Sequence, residues 1–369
     1  MSLSKLHLLR VAGVSPWSDQ ISRRMLDSGE LEQRIERDAV TGVTSNPSIF
    51  AKAIVGSEDY DREVAELAGR GASTEEVIAT LMSSDIQRAC DALRHVYEET
   101  DGRDGFVSVE VTPTLAHDTD ATVAEAREWV KRIDRANLLV KVPATEAGLP
   151  AIRQLIGEGI SINVTLIFSL DRYRKVMDAY LGGLEDYISQ GGDPSRVASV
   201  ASFFVSRMDT EVDRRLEEIG TEAALALRGK SAVANAQLAY RAYLDTFAGV
   251  RWQKLVDAGA RIQRPLWAST STKNPDYPDT LYVENLVAPH TVNTMPLETI
   301  DAYQDHGPDP VAFGPEEMAA AQGVLDALAE VGVDYDDVMQ VLEDEGVEKF
   351  IDSWKELVAS VEEERAQVT

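Results

Sequence analysis

Apolar positions along the chain recur in two patterns. Short aliphatic and β-branched runs alternate with longer segments in which apolar side chains return at helical spacing. The short runs are SPWSD (15–19), GVTSN (42–46), FVSVEV (106–111), LLVKVP (138–143), SINVTLIF (161–168), VASFFVS (200–206), RPLWAST (264–270) and TVNTM (291–295). Several lack strict polar/apolar alternation, as parallel strands covered on both faces do. Between them, residues 74–98 place Val77, Ile78, Leu81, Met82, Ile86, Ala89, Cys90, Leu93, Val96 and Tyr97 on one stripe. Ser73 and Glu76 have capping-box spacing at its start. Residues 169–190 repeat the pattern and stop at Gly191 and Gly192. Segments 120–134, 146–156, 209–219 and 232–257 also read as helices. From 315 onward only helices are expected, acidic outside and anchored by Phe350, Ile351, Trp354 and Leu357.

Eight strands separated by helices predict an α/β fold, a (β/α)8 TIM barrel with additional helices. A doubly wound sheet is the alternative, but no GxGxxG or GxxxxGK[ST] follows a strand. The chain has 369 residues, more than the ~250 of a typical barrel. The surplus falls in 52–100, 207–263 and the C-terminal helices. With no repeat or linker between them, residues 1–369 are expected to form a single barrel domain. The acidic C-terminal helices either cover the barrel or reach a partner subunit.

The chain carries 36 basic and 63 acidic side chains, a net charge of −27. That balance argues against nucleic acid or an anionic membrane as partner. An anionic metabolite needs a local cluster of basic groups. No run of about 18 apolar residues exists to cross a membrane, and residues 1–19 lack a signal-peptide core. The expectation is a cytoplasmic protein, monomer or homodimer. Cys90, the single cysteine, belongs to a helical stripe and reads as packed. The five histidines are scattered without HxxxH spacing, so neither a metal nor a cofactor is expected.

In such a barrel the site lies at the C-terminal ends of the strands. There the chain places Asp19, Thr44 with Asn46, Glu110, Lys141, Thr165, Ser202 with Arg207, Ser269 with Lys273, and Asn293. Each alone has an ordinary explanation. Asp19 could cap a helix, and Asn46-Pro47-Ser48 could start one. Together they line one rim. Lys141 in NLLVKVPAT is the sharpest. A lysine in a dry strand is costly unless paired. Burial favours a neutral amine that attacks a carbonyl and forms a Schiff base. The plainer reading is an ion pair with Glu110, and the two are compatible. An imine at Lys141 acts as an electron sink for C–C cleavage beside a ketone. Asp19 and Glu110 are the carboxylates available for proton transfer. Asn46 and Ser202 suit sugar hydroxyls. Arg207, Ser269 and Lys273 suit a phosphate.

GVTSNPSIF, VSVEV, LLVKVPAT, SINVTLIFS, SFFVSRMD and LWASTSTKNP, in this order, resemble the transaldolases of the longer bacterial type, from about Trp17 to His306. The resemblance implies a class I, metal-free enzyme of the pentose phosphate pathway. It would pass a dihydroxyacetone unit from sedoheptulose 7-phosphate to glyceraldehyde 3-phosphate. It implies Lys141 as the Schiff-base residue and Asp19 as the base for the C4 hydroxyl. Glu110 would act on carbinolamine steps through a water held by Thr165. Asn46 and Ser202 would bind the three-carbon unit, and Arg207 and Ser269 the phosphate. Phe204 stands where transaldolases have Phe and related fructose-6-phosphate aldolases have Tyr. Where many transaldolases carry an arginine, two residues after Ser269, this chain has Ser271, and Lys273 supplies the charge. The rivals are a Schiff-base aldolase that releases dihydroxyacetone and a non-catalytic sugar-phosphate binder.

Overall fold

The apolar runs form the strands of a closed barrel in the order β1 (Val14–Ser18), β2 (Gly42–Val43), β3 (Phe106–Glu110), β4 (Leu138–Pro143), β5 (Ile162–Ile167), β6 (Ser199–Phe204), β7 (Arg264–Ala268) and β8 (Thr291–Met295). Every neighbouring pair is parallel, and β8 closes onto β1. The structure, a computed structural model, describes residues 3–368. All eight strands are buried along their length. Helices cover the outer face, which explains the missing alternation. Among the described residues no helix is long and apolar enough to cross a membrane.

Several boundaries differ from the sequence expectation, each for a local reason. β2 has two residues rather than 42–46, because Asn46 turns out of the sheet and accepts the Ile49 N–H at 2.9 Å, capping the helix Pro47–Ile54. The Trp17 indole packs against the start of β2, and a Cβ on Gly42 would lie 2.4 Å from its ring. Segment 74–98 is two helices, Thr74–Ala92 and Arg94–Glu99. Only half of the expected capping box forms there: Ser73 accepts the Glu76 N–H, while the Glu76 carboxylate reaches Arg132 at 2.8 Å. Segment 232–257 breaks at Gly249, which caps a second helix, Val250–Asp257. Val205 and Ser206 leave β6, and Ser206 opens the helix Ser206–Ile219.

A buried ion pair closes the bottom of the barrel. Arg264, at the start of β7, lies 3.4 Å from Asp104. Asp104 also accepts from the Trp17 indole at 2.7 Å and from Ser15. At the opposite end lies the C-terminal helix Tyr335–Val368. It packs on Pro47–Ile54, Asp61–Gly69, Thr74–Ala92 and Ser206–Ile219. Ser48 and Ser353 hydroxyls meet at 2.6 Å, and Arg172 and Arg215 pair with Glu343 and Asp337 at 3.1 and 2.7 Å. The helix therefore covers the mouth of its own barrel.

Candidate active site

A cavity of about 1050 Å³ opens at the C-terminal ends of the strands, beneath that helix. Asp19, Asn46, Lys141, Ser202, Phe204, Arg207, Ser269 and Lys273 all line it. Glu110 and Thr165 do not; they sit behind its wall. Asn293 also lies outside the lining, where its Oδ1 accepts from Thr270 at 2.9 Å. Strand geometry explains the convergence. Inward side chains of adjacent parallel strands stack side by side, and Glu110 on β3 is the register partner of Lys141 on β4.

Lys141 is 4% exposed and Glu110 5%. Lys141 Nζ lies 3.3 Å from Glu110 Oε2 and donates to the Ser45 carbonyl at 3.2 Å. Lys141 is thus buried and paired with Glu110, its neighbour on the adjacent strand. Burial pushes the Glu110 carboxyl up to about 7, although Lys141 draws it down. The carboxyl is therefore suited to gain and lose protons near neutrality. Thr165 Oγ1 is buried with no hydrogen-bond partner among the described residues. Immediately after it, β5 carries a bulge between Val164 and Ile167, with Leu166 at φ 58°.

Asp19 follows β1, with one face open to the cavity. Its carboxyl is raised above the usual range by burial, against Lys141, the Thr44 hydrogen bond, Lys273 and Lys52. Thr44 Oγ1 donates to Asp19 at 2.6 Å and lies 2.6 Å from Thr294 Oγ1. With the Thr44 proton committed to Asp19, Thr294 must be the donor to Thr44. Ser202 donates to Asn163 Oδ1 at 2.7 Å, and Asn163 Nδ2 donates to Ser108 Oγ at 3.0 Å. This chain of hydrogen bonds ties β6 to β5 and β3.

Cations gather at the far side. Burial lowers Arg207 from its ordinary value, and Glu345 opposes it most. Ser269 holds φ 56° and meets Ser206 Oγ at 2.8 Å. Lys273 Nζ donates to Ser271 Oγ at 2.6 Å. Burial lowers Lys273 too, against Glu298. Among the described residues no group of three His, Cys, Asp or Glu side chains is placed to hold a metal ion.

Sequence reasoning missed Ser45, Asn163 and Thr294, which position the groups above, and Lys52, Lys349 and Phe350 in the lining. Asn163 had a readable signal. It is a buried amide inside SINVTLIF, two residues before Thr165 and so on the same strand face. Lys52 and Lys349 look like ordinary surface lysines in sequence.

The family model for "Transaldolase/Fructose-6-phosphate aldolase" matches residues 16–361. A "Transaldolase" of Mycolicibacterium paratuberculosis is 57% identical over 97% of this chain and 96% of its own. One from Thermobifida fusca is 56% identical over 99% of this chain and 100% of its own. A "Transaldolase 2" of Streptomyces coelicolor is 55% identical over 95% of each chain. With near-complete coverage at such identity, the chain belongs to the transaldolase/fructose-6-phosphate aldolase family.

Proposed function

We propose that this protein is a transaldolase that works through an imine on Lys141, in the cytosolic pentose phosphate pathway. Lys141 Nζ adds to the C2 carbonyl of sedoheptulose 7-phosphate. Glu110 moves the protons of the carbinolamine steps, through a water held by the Thr165 hydroxyl, as the hydroxyl leaves as water. Asp19 takes the proton of the C4 hydroxyl as the C3–C4 bond breaks, and erythrose 4-phosphate departs. The electron pair of that bond is held by the imine as an enamine. The enamine carbon then adds to the carbonyl of glyceraldehyde 3-phosphate, and Asp19 returns the proton. Hydrolysis of the new imine frees fructose 6-phosphate and Lys141.

Asn46 and Ser202 hold the hydroxyls of the three-carbon unit, and Arg207, Ser269 and Lys273 the phosphate. Phe204, 6% exposed beside the cavity, limits water near the bound enamine. The observation that carries this reading is the buried Lys141 on the cavity wall, 3.3 Å from a carboxyl pushed up to about 7. The test is borohydride trapping with sedoheptulose 7-phosphate. The expected result is a stable three-carbon adduct on Lys141 and none in Lys141→Ala. No adduct, or full activity in Lys141→Ala, refutes it. The family name also covers aldolases. Phe204 favours transfer, and release of free dihydroxyacetone at the rate of donor cleavage would reverse that choice.

A further inference from the structure

Arg207 is held in an unusual way. Its guanidinium makes no hydrogen bond and no ion pair with any described residue, and its Nη1 is buried without a partner. A guanidinium carries five donors in a rigid fork, and leaving them unmet inside a protein is costly unless a ligand meets them. Two aromatic rings take the place of hydrogen bonds. The Phe204 ring lies 5.1 Å from Arg207 Cζ, and the Phe350 ring 5.8 Å from it. Both distances lie within the range of cation–π attraction. Phe168 backs Phe204 at 5.2 Å.

Phe350 comes from the C-terminal helix, outside the barrel, yet it is 3% exposed and its ring also lies 5.7 Å from Lys141 Nζ. The helix approaches closely because position 346 has no side chain. A Cβ on Gly346 would lie 3.3 Å from Arg207 Nη1 and 3.2 Å from Leu166 Cδ2. One turn of this helix thus supplies both the ring and the gap that fit around one cation.

We propose that Phe350 is a positioning residue: with Phe204 it holds Arg207 so that the N–H edge of the guanidinium meets the substrate phosphate. The alternative is that Phe350 only anchors the helix. This inference rests on Arg207 binding phosphate, as in the function proposed above. It makes the C-terminal helix part of substrate selection and not merely a cover.

The test is a double-mutant cycle read as selectivity. Sedoheptulose 7-phosphate serves as donor, releasing erythrose 4-phosphate, with glyceraldehyde 3-phosphate or unphosphorylated glyceraldehyde as acceptor. In a ping-pong reaction kcat/KM for the acceptor reports only the second half-reaction. The quantity read is the ratio of kcat/KM for the two acceptors. Phe350→Leu keeps an apolar side chain but removes the ring, and is expected to lower the ratio about tenfold, mostly through KM. Gly346→Ala, which favours the helix but crowds the guanidinium, is expected to lower it in the same direction. In an Arg207→Ala background neither change should lower the ratio further. An unchanged ratio in Phe350→Leu overturns the proposal. So does an equal drop with and without Arg207, which is the signature of a helix anchor alone. Borohydride trapping of the unsubstituted enzyme separates the levels. If no Lys141 adduct forms, the proposed reaction fails; if it forms and the ratio holds, only the role of Phe350 fails.

Discussion

Glu110→Gln removes a carboxyl whose folded-state value lies near neutrality beside Lys141. Burial is the main cause, raising it from 4.5 to about 7. Unfolding returns the group to its ordinary range. Between those two values the folded chain keeps a proton that the unfolded chain has lost. Stability therefore falls as pH rises across the window. The contribution of the protonated form is fully present below about 4.5 and is gone once pH passes about 7. Each pH unit between the folded and unfolded values is worth ~1.4 kcal/mol, so between pH 5 and 8 this group costs the folded state about 2 to 3 kcal/mol. Gln cannot titrate and lacks that slope. The assay is guanidinium unfolding of both proteins at pH 5 and pH 8. Groups that do not interact with Glu110 cancel in the difference, while Lys141, Asp19 and Arg207, which do, titrate with it as a cluster. The expected outcome is that the unsubstituted protein loses about 2 to 3 kcal/mol more than Glu110→Gln on going to pH 8. The same substitution should remove a limb near pH 7 from the kcat/KM profile. A stability difference that does not change with pH would show that Glu110 titrates alike in both states, and the proton-carrier role would fall with it.

Thr44→Val deletes a hydrogen bond that pulls Asp19 down. The Asp19 carboxyl should rise further, and the acidic limb of the kcat profile should move to higher pH. Asn163→Ala cuts the chain from Ser202 to Ser108; KM for the ketose phosphate should rise about tenfold, with a smaller effect on kcat. Asp104→Ala leaves Arg264 buried and unpaired at the bottom of the barrel. Unfolding free energy should fall by about 3 to 5 kcal/mol, while kcat/KM, read at a temperature where the protein stays folded, should hold within about twofold because the site is at the other end.

What could be read from the sequence, and what could not, follows how each part is held. The strands were legible because their apolar runs are buried on both faces, and a single polar residue in such a run stands out. Lys141 in LLVKVP, Glu110 at the end of FVSVE and Ser202 in VASFF are of this kind, and the barrel brings them to one end by register alone. Asn163 carries the same signal within SINVTLIF. Asn293, expected on the rim, is used instead to bind Thr270. Other features depend on chain segments far apart in sequence. The length of β2 is set by Trp17 packing on Gly42 and by the Asn46 cap. The break at Gly249 hides within a helical stripe that runs on either side of it. Phe350 reads as one apolar anchor among four, because a stripe does not say what it packs on. Ser48 and Ser353, 305 positions apart, fix where that stripe lands. The barrel wall thus places the reacting groups by local pattern. The lid over them, and with it the grip on Arg207, is placed by tertiary packing that no local pattern encodes.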